Sequence, residues 1–224
     1  MPEPVHAYHL TSAEHAISSI GLSRLKVARI SEVNDPFELF AVNCKKKQVR
    51  RALKSFRDIH DARLGFLSFS KSWKNPVLWS HYADRHRGVC LGFEIAPSLQ
   101  PKDIQYDTEK LRIEPDKGVL PYGNTIPKDV QDLLMVTKFA HWAYEEEVRV
   151  MLELARAKRE GSLYFWPFDE QLRLRDVILG HRCSLTLDHV RTLVRTVAPG
   201  ALVSKARLGF GNFEVRTDNR FPPA

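Results

Sequence analysis

Long apolar runs are missing from this chain. Among its 224 residues no window approaches the roughly 18 uncharged apolar residues that a membrane span requires. The N-terminus MPEPVHAYHL carries no basic segment leading into an apolar stretch, which argues against a secretory signal and an integral membrane protein. Cysteine is scarce as well. Cys44, Cys90 and Cys183 are odd in number, widely spaced and outside any CxxC pairing, so neither a disulfide framework nor a structural zinc site is indicated, and a reducing cytoplasm suits them. No internal repeat, Gly/Ser-rich linker or low-complexity tract interrupts the chain, so a single domain over 1–224 is expected.

What is present is ordinary globular material, 43% hydrophobic and 27% charged, which excludes general disorder. A chain of this length hides roughly 70% of its unfolded surface, enough for a core without staples. Charge leans one way: 34 Lys and Arg against 27 Asp and Glu leave +7. A surface of that sign attracts phosphates of any kind, so an anionic ligand is expected, nucleic acid among the possibilities and a membrane not.

Residues 5–10 read as a strand, and Thr11 or Ser12 ahead of Glu14 reads as the cap of a helix over 13–20 that stops at Gly21. After 22–30, the sequence Asn34-Asp35-Pro36-Phe37-Glu38 breaks any regular element. A helix is expected over 44–64, with Val49, Leu53, Phe56 and Ile59 as its apolar stripe and Lys45, Lys46, Lys47, Arg50, Arg51 and Lys54 facing outward. That basic face is either simply solvated or a phosphate contact. Residues 65–70 alternate as a strand, with Phe66, Ser68 and Ser70 on one face and Leu67 and Phe69 on the other. Asn75-Pro76 opens a helix that Gly88 closes, and 89–95 read as a buried strand. Residues 97–127 hold five prolines and are expected to give loops and a strand or two around Gln105-Tyr106 and Val119-Leu120. A helix over 128–142 leads to a strand over 144–152, on which Glu145, Glu147 and Arg149 share one face. Strands are expected over 164–168, 172–179 and 201–208, with a helix over 187–197.

Four clusters place polar chemistry where packing groups belong. They are Tyr8-His9-Leu10-Thr11 in the opening strand, Ser68-Phe69-Ser70, the segment Trp79-Ser80-His81-Tyr82-Ala83-Asp84-Arg85-His86, and Glu145-Glu146-Glu147-Val148-Arg149. Each also has a bland explanation: a hydrogen-bonded core histidine, hydroxyls on a wet strand face, a solvated helix, a self-neutralised charge ladder. His81 and His86 stand five residues apart and diverge by about 140° on a helix, so they do not form a metal-binding pair, and no metal is expected.

These residues, in this order, carry a resemblance. Asn-Asp-Pro-Phe-Glu at 34–38, Leu-Ser-Phe-Ser at 67–70, the stretch from Trp79 to Phe93, and Lys138 followed by Trp142-Ala-Tyr-Glu-Glu-Glu-Val-Arg149 resemble the bacterial family catalogued as domain of unknown function twenty-nine seventy-one, from Tyr8 to about Gly180. Members commonly carry cysteine before Phe-Ser, where Leu67-Ser68 stand here. That family implies no function. A second resemblance supplies a chemistry. His9 in its strand, the Ser68-Phe69-Ser70 strand and Glu145-Glu146-Glu147 look like the ordered motifs of ADP-ribosyltransferase-like proteins, including the RNA phosphotransferase and DNA-modifying branches.

That second resemblance implies an α+β single domain with a mixed or largely antiparallel split β-sheet and helices, ADP-ribosyltransferase-like, taking NAD as substrate. Glu147 would be the catalytic carboxylate that stabilises positive charge at the anomeric carbon, and Glu145 would orient or deprotonate an acceptor. On the cofactor-binding side, Ser68 and Ser70 would brace the carboxylate or ribose, and His9, with Thr11 beside it, would fix the sugar rim as a neutral donor. Tyr82 would stack on nicotinamide, and Arg149 would pair with either a pyrophosphate oxygen or its Glu neighbours. The function expected is an NAD-consuming transferase modifying nucleic acid or protein, as a bacterial toxin or anti-phage effector does. Two readings compete with it: a non-catalytic nucleic-acid-binding or sensing module of the same fold, and a metal-dependent hydrolase built on His81, Asp84, His86 and His141.

Overall fold

The computed structural model describes residues 2–33, 35, 37, 39–111, 126, 128–221 and 223. Asn34, Pro36 and Glu38 of the expected turn, and Val119-Leu120 of an expected strand, lie outside the described residues. The chain is a mixed α and β structure with one large mixed sheet and several helices.

The sheet is organised around β1 (Val5–Thr11) and β3 (Leu64–Ser70). β1 pairs antiparallel along its whole length with β4 (Val89–Ile95), but meets β3 at one residue pair only, Tyr8 opposite Ser70. β3 instead pairs along its length with β8 (Glu147–Glu153), from Leu64 opposite Glu153 to Ser70 opposite Glu147. β2 (Arg24–Arg29) joins β3 at its far end, through Ala28 and Arg29. Between these two attachments β1 and β3 part, and the sheet is split there. Beyond β4 lie β11 (Leu172–Leu179), β12 (Leu202–Leu208) and β13 (Val215–Thr217), β11 and β12 running parallel. Beyond β2 lie β10 (Leu163–Pro167) and β9 (Lys158–Glu160), and β5 (Lys102–Asp103) covers β8. A separate parallel pair joins β6 (Gln105–Asp107) to β7 (Thr137–Phe139).

The alternation read in β3 is what packs it. Leu67 and Phe69 enter the main core with Val148, Val150 and Leu152 of β8 and Leu91, Phe93 and Ile95 of β4. Helices α1 (Ala13–Gly21) and α5 (Leu187–Val197) complete that core through Ala16, Ile20, Val190 and Val194. Phe66, on the opposite face of β3, joins the cluster under α2 (Lys47–Arg63). There Val49, Ala52, Leu53 and Phe56 are buried, whereas Ile59, expected in the stripe, is exposed near the helix end. Ser12 caps α1 by accepting from the His15 N–H, and Asn75 caps α3 (Pro76–Tyr82) by accepting from the Val77 N–H.

Three expectations are corrected. The helix from Asn75 ends at Tyr82, not near Gly88: Asp84, Arg85 and His86 all take left-handed backbone, at φ 43°, 54° and 68°. Gly88 sits behind that turn because a Cβ there would lie 2.1 Å from the Thr11 carbonyl oxygen of β1. The helix over 128–142 stops at Val136 as α4 (Lys128–Val136), since Thr137 turns into the β6–β7 pair. The strand at 144–152 begins three residues late. Residues 140–145 form a 3₁₀ turn, Glu146 takes φ 45°, and only Glu147 enters β8.

Candidate functional site

The split between β1 and β3 opens a small, partly enclosed cavity. Tyr8, His9 and Leu10 line it from β1, Phe66, Ser68, Phe69 and Ser70 from β3, and Glu147 and Arg149 from β8. Leu78 and Tyr82 of α3, Lys138 of β7 and Glu145 of the 3₁₀ turn complete its polar end.

Glu147 is the hub of that end. It is 4% exposed, and its Oε1 accepts from Ser68 Oγ at 2.6 Å and from Arg149 Nε at 2.9 Å. Its Oε2 accepts from Arg149 Nη2 at 3.0 Å and from Lys138 Nζ at 3.3 Å. Its backbone N–H donates to the Tyr106 hydroxyl at 2.8 Å, and burial pushes that phenol up to about 12. Burial alone would raise the Glu147 carboxyl. The Arg149 guanidinium, the Lys138 ammonium and the Ser68 hydroxyl outweigh it, and the group sits below its ordinary value.

Glu145 reaches the same place by a different route. It is not on the strand, but the left-handed Glu146 swings it back so that Oε2 accepts from Lys138 Nζ at 2.5 Å and Oε1 from the Tyr82 hydroxyl. Lys138 therefore sits between two buried carboxylates, with the Trp142 ring 5.0 Å from its ammonium. Two cations and two anions leave the cluster formally neutral, which makes its burial tolerable.

His9 closes the gap in the sheet. Its Nδ1 lies 3.0 Å from the Ser68 carbonyl oxygen, which can only accept, so Nδ1 carries the proton. Burial holds the ring below its ordinary value although the Ser68 carbonyl opposes the shift. The neutral ring therefore presents Nε2 as an acceptor to the cavity, not the donor expected from sequence. Ser70 lines the cavity, but its Oγ donates to the Ser72 carbonyl at 2.8 Å and braces its own loop. Thr11 does not come to the cavity. It pairs with Val89, where its carbonyl is crowded by the Gly88 turn. Of the two partners open to Arg149, the structure shows Glu147.

Lys138 was visible in the sequence only as part of the family pattern that runs on to Trp142 and Arg149; the helix expected over 128–142 gave it no place in the site. Tyr106 carried no signal.

The four residues of the metal reading scatter. His81 packs beside Tyr144, Asp84 binds Arg87, His86 stacks on Trp79, and His141 lies against Phe139. Among the described residues no group of three or more His, Cys, Asp and Glu side chains is arranged to hold a metal ion. The basic residues from Lys45 to Lys54 are exposed as expected, although α2 begins only at Lys47. No helix among the described residues is long and apolar enough to cross a membrane.

With Tyr82, Lys138, Glu145, Glu147 and Arg149 placed together, a comparison of sequence families becomes informative. Residues 78–150 match the family described as protein of unknown function (DUF2971). The DUF2971 match bears out the first resemblance over that segment, roughly one third of the chain. It runs from α3 to β8 and so contains every charged residue of the cavity, while His9, Ser68 and Ser70 precede it. No curated protein and no solved structure matches the chain.

Proposed function

We propose that the cavity binds NAD as a substrate and cleaves its nicotinamide–ribose bond, as an ADP-ribosyltransferase-like enzyme does. The observation that carries this is the junction of His9, Ser68 and Glu147, from three strands distant in sequence, around one hollow with Ser68 Oγ bonded to the carboxylate. The donor set suits the ligand. Glu147, ionised at neutral pH, faces the ribose, and Nε2 of His9 accepts from a sugar hydroxyl. Lys138 and Arg149 hold the Glu147 carboxylate in place and ionised for that role. In the reaction the C–N bond breaks, nicotinamide leaves with the bonding pair, and an acceptor oxygen bonds the anomeric carbon and loses its proton to Glu145. Glu147 stabilises the positive charge that develops between those events.

This chemistry makes one demand on the site. Ser68, Arg149 and Lys138 already occupy the roughly four acceptor positions of the Glu147 carboxylate. A ribose hydroxyl must displace one of them, and Lys138, the longest contact at 3.3 Å, already has Glu145 as a second partner. The same saturation favours a second reading, a binding module of this fold without chemistry. Titration calorimetry with NAD tests the proposal: heat of binding that is lost in a His9→Trp variant, which fills the cavity, is expected, and no binding to the wild type overturns it.

A further inference from the structure

Among the described residues, the most exposed large apolar side chains do not line the cavity. Phe210 and Phe213, at 95% and 99% exposed, stand at the tip of the hairpin that joins β12 to β13. The tip is anchored. The Gly209 N–H donates to the Glu214 carbonyl at 2.7 Å, and the Val215 N–H donates to the Lys74 carbonyl at 2.8 Å. Two bare aromatic rings on a hydrogen-bonded turn keep a large apolar surface in water, an arrangement that marks a contact surface.

The charges around them indicate what the surface meets. Arg207 and Arg216 stand directly opposite each other in the β12–β13 ladder, a like-charge pair that disfavours the hairpin unless an anion lies nearby. Glu214 pairs with Arg216 at 2.9 Å and also faces Lys74, and Asp218 faces both Arg220 and Arg207, so four cations here meet two carboxylates, while the Arg207 guanidinium lies 4.8 Å from the Phe210 ring centre. Arg207, Phe210, Asn212 and Arg216 border an open surface hollow. Lys74 and Arg220 are exposed beside this region, and the whole chain carries +7. Separate aromatic faces interleaved with guanidinium groups are the elements on which single-stranded nucleic acid stacks its bases and sets its phosphates. A lipid surface calls for a continuous apolar face, and here Asn212 and Glu214 separate the rings from the strands.

We infer that the β12–β13 hairpin binds single-stranded nucleic acid, bases stacking on Phe210 and Phe213 and phosphates meeting Arg207 and Arg216. Stacking and phosphate contacts do not read the sugar, so DNA and RNA bind alike. The inference stands whether or not the cavity turns over NAD.

Fluorescence anisotropy with labelled single-stranded DNA and RNA oligonucleotides of about 20 nucleotides tests it. The wild-type protein binds both, with affinity that falls steeply as salt rises. A Phe210→Ala/Phe213→Ala variant loses about tenfold or more in affinity while its melting temperature is unchanged, because neither side chain is packed. A Phe210→Trp/Phe213→Trp variant binds at least as tightly as the wild type, which separates stacking from folding. Arg216→Gln lowers the salt slope by about 0.7. Equal binding by the wild type and the double alanine variant, or no binding by the wild type, overturns the inference. So does a double variant that loses only its binding to phosphatidylserine-containing vesicles, or only its self-association in sedimentation, with oligonucleotide binding intact.

Discussion

Ser68, not Ser70, holds Glu147. Ser70 is the residue directly opposite Glu147 in the β3–β8 ladder, whereas Ser68 is opposite Arg149. Yet Ser68 Oγ reaches diagonally to Glu147 Oε1 at 2.6 Å, and Ser70 Oγ turns to the Ser72 carbonyl. The two hydroxyls therefore do different work, and Arg149 shares the Ser68 diagonal by binding the same carboxylate from its own strand.

Ser68→Ala removes a charge-assisted hydrogen bond to a buried carboxylate and is expected to cost about 1.5–3 kcal/mol, while Ser70→Ala, which loosens only a local turn, costs about 1 kcal/mol. Urea titration of the two variants side by side checks the order. Equal losses contradict the assignment.

Lys138→Met leaves Glu147 with Arg149 but takes from the buried Glu145 the cation it binds. Removing one partner of such a pair costs about 3–5 kcal/mol at neutral pH. At lower pH one carboxyl can take up a proton, so the variant's deficit should shrink on acidification. Thermal melts of both proteins at neutral and acid pH test this, and a deficit independent of pH contradicts it.

The pH dependence of the wild type has a definite sign. His9, His86 and His181 are all held below the ordinary 6.5, by burial first. The unfolded chain thus binds more protons than the folded one just below that value, and stability falls as pH drops through about 6.5. Glu147, also lowered, adds a second loss as pH falls below its ordinary 4.5 towards its folded value. Chemical denaturation across this span should show both declines. A flat profile from neutral pH down to the carboxylate range contradicts the first.

Gly88→Ala would put a Cβ 2.1 Å from the Thr11 carbonyl and 2.9 Å from the Ala83 backbone, neither of which is a flexible side chain. The turn behind α3 or strand β1 must shift, with an expected loss of about 3 kcal/mol or more. Because β1 carries His9 and α3 carries Tyr82, the His9 ring resonances in an NMR spectrum should move too. A variant with wild-type stability and unmoved resonances contradicts the proposed close packing.

Much of this was legible locally. The alternation of residues 65–70, the buried run 89–95 and the cap residues Ser12 and Asn75 each follow from spacing that needs no distant partner, and the structure reproduces them. The meeting of His9, Ser68 and Glu147 was implied by the ADP-ribosyltransferase-like resemblance, not by alternation, which fixes only the face that each side chain takes. What periodicity could not show is where tertiary partners override it. Lys138 is on a strand because β6 pairs with β7, Glu145 reaches the cavity because Glu146 takes a left-handed turn, and the helix at Pro76 ends early because three left-handed residues fold His86 under Trp79. The split between β1 and β3 is likewise a property of strand order, which no local pattern encodes.

The most direct test of the central claim is release of nicotinamide from NAD by the purified protein, followed by chromatography with and without a nucleic-acid acceptor. The wild type is expected to release it, and Glu147→Gln, which keeps the shape but removes the charge, to do so at least about a hundredfold more slowly. Release by Glu147→Gln at the wild-type rate, or none by the wild type under either condition, contradicts the account.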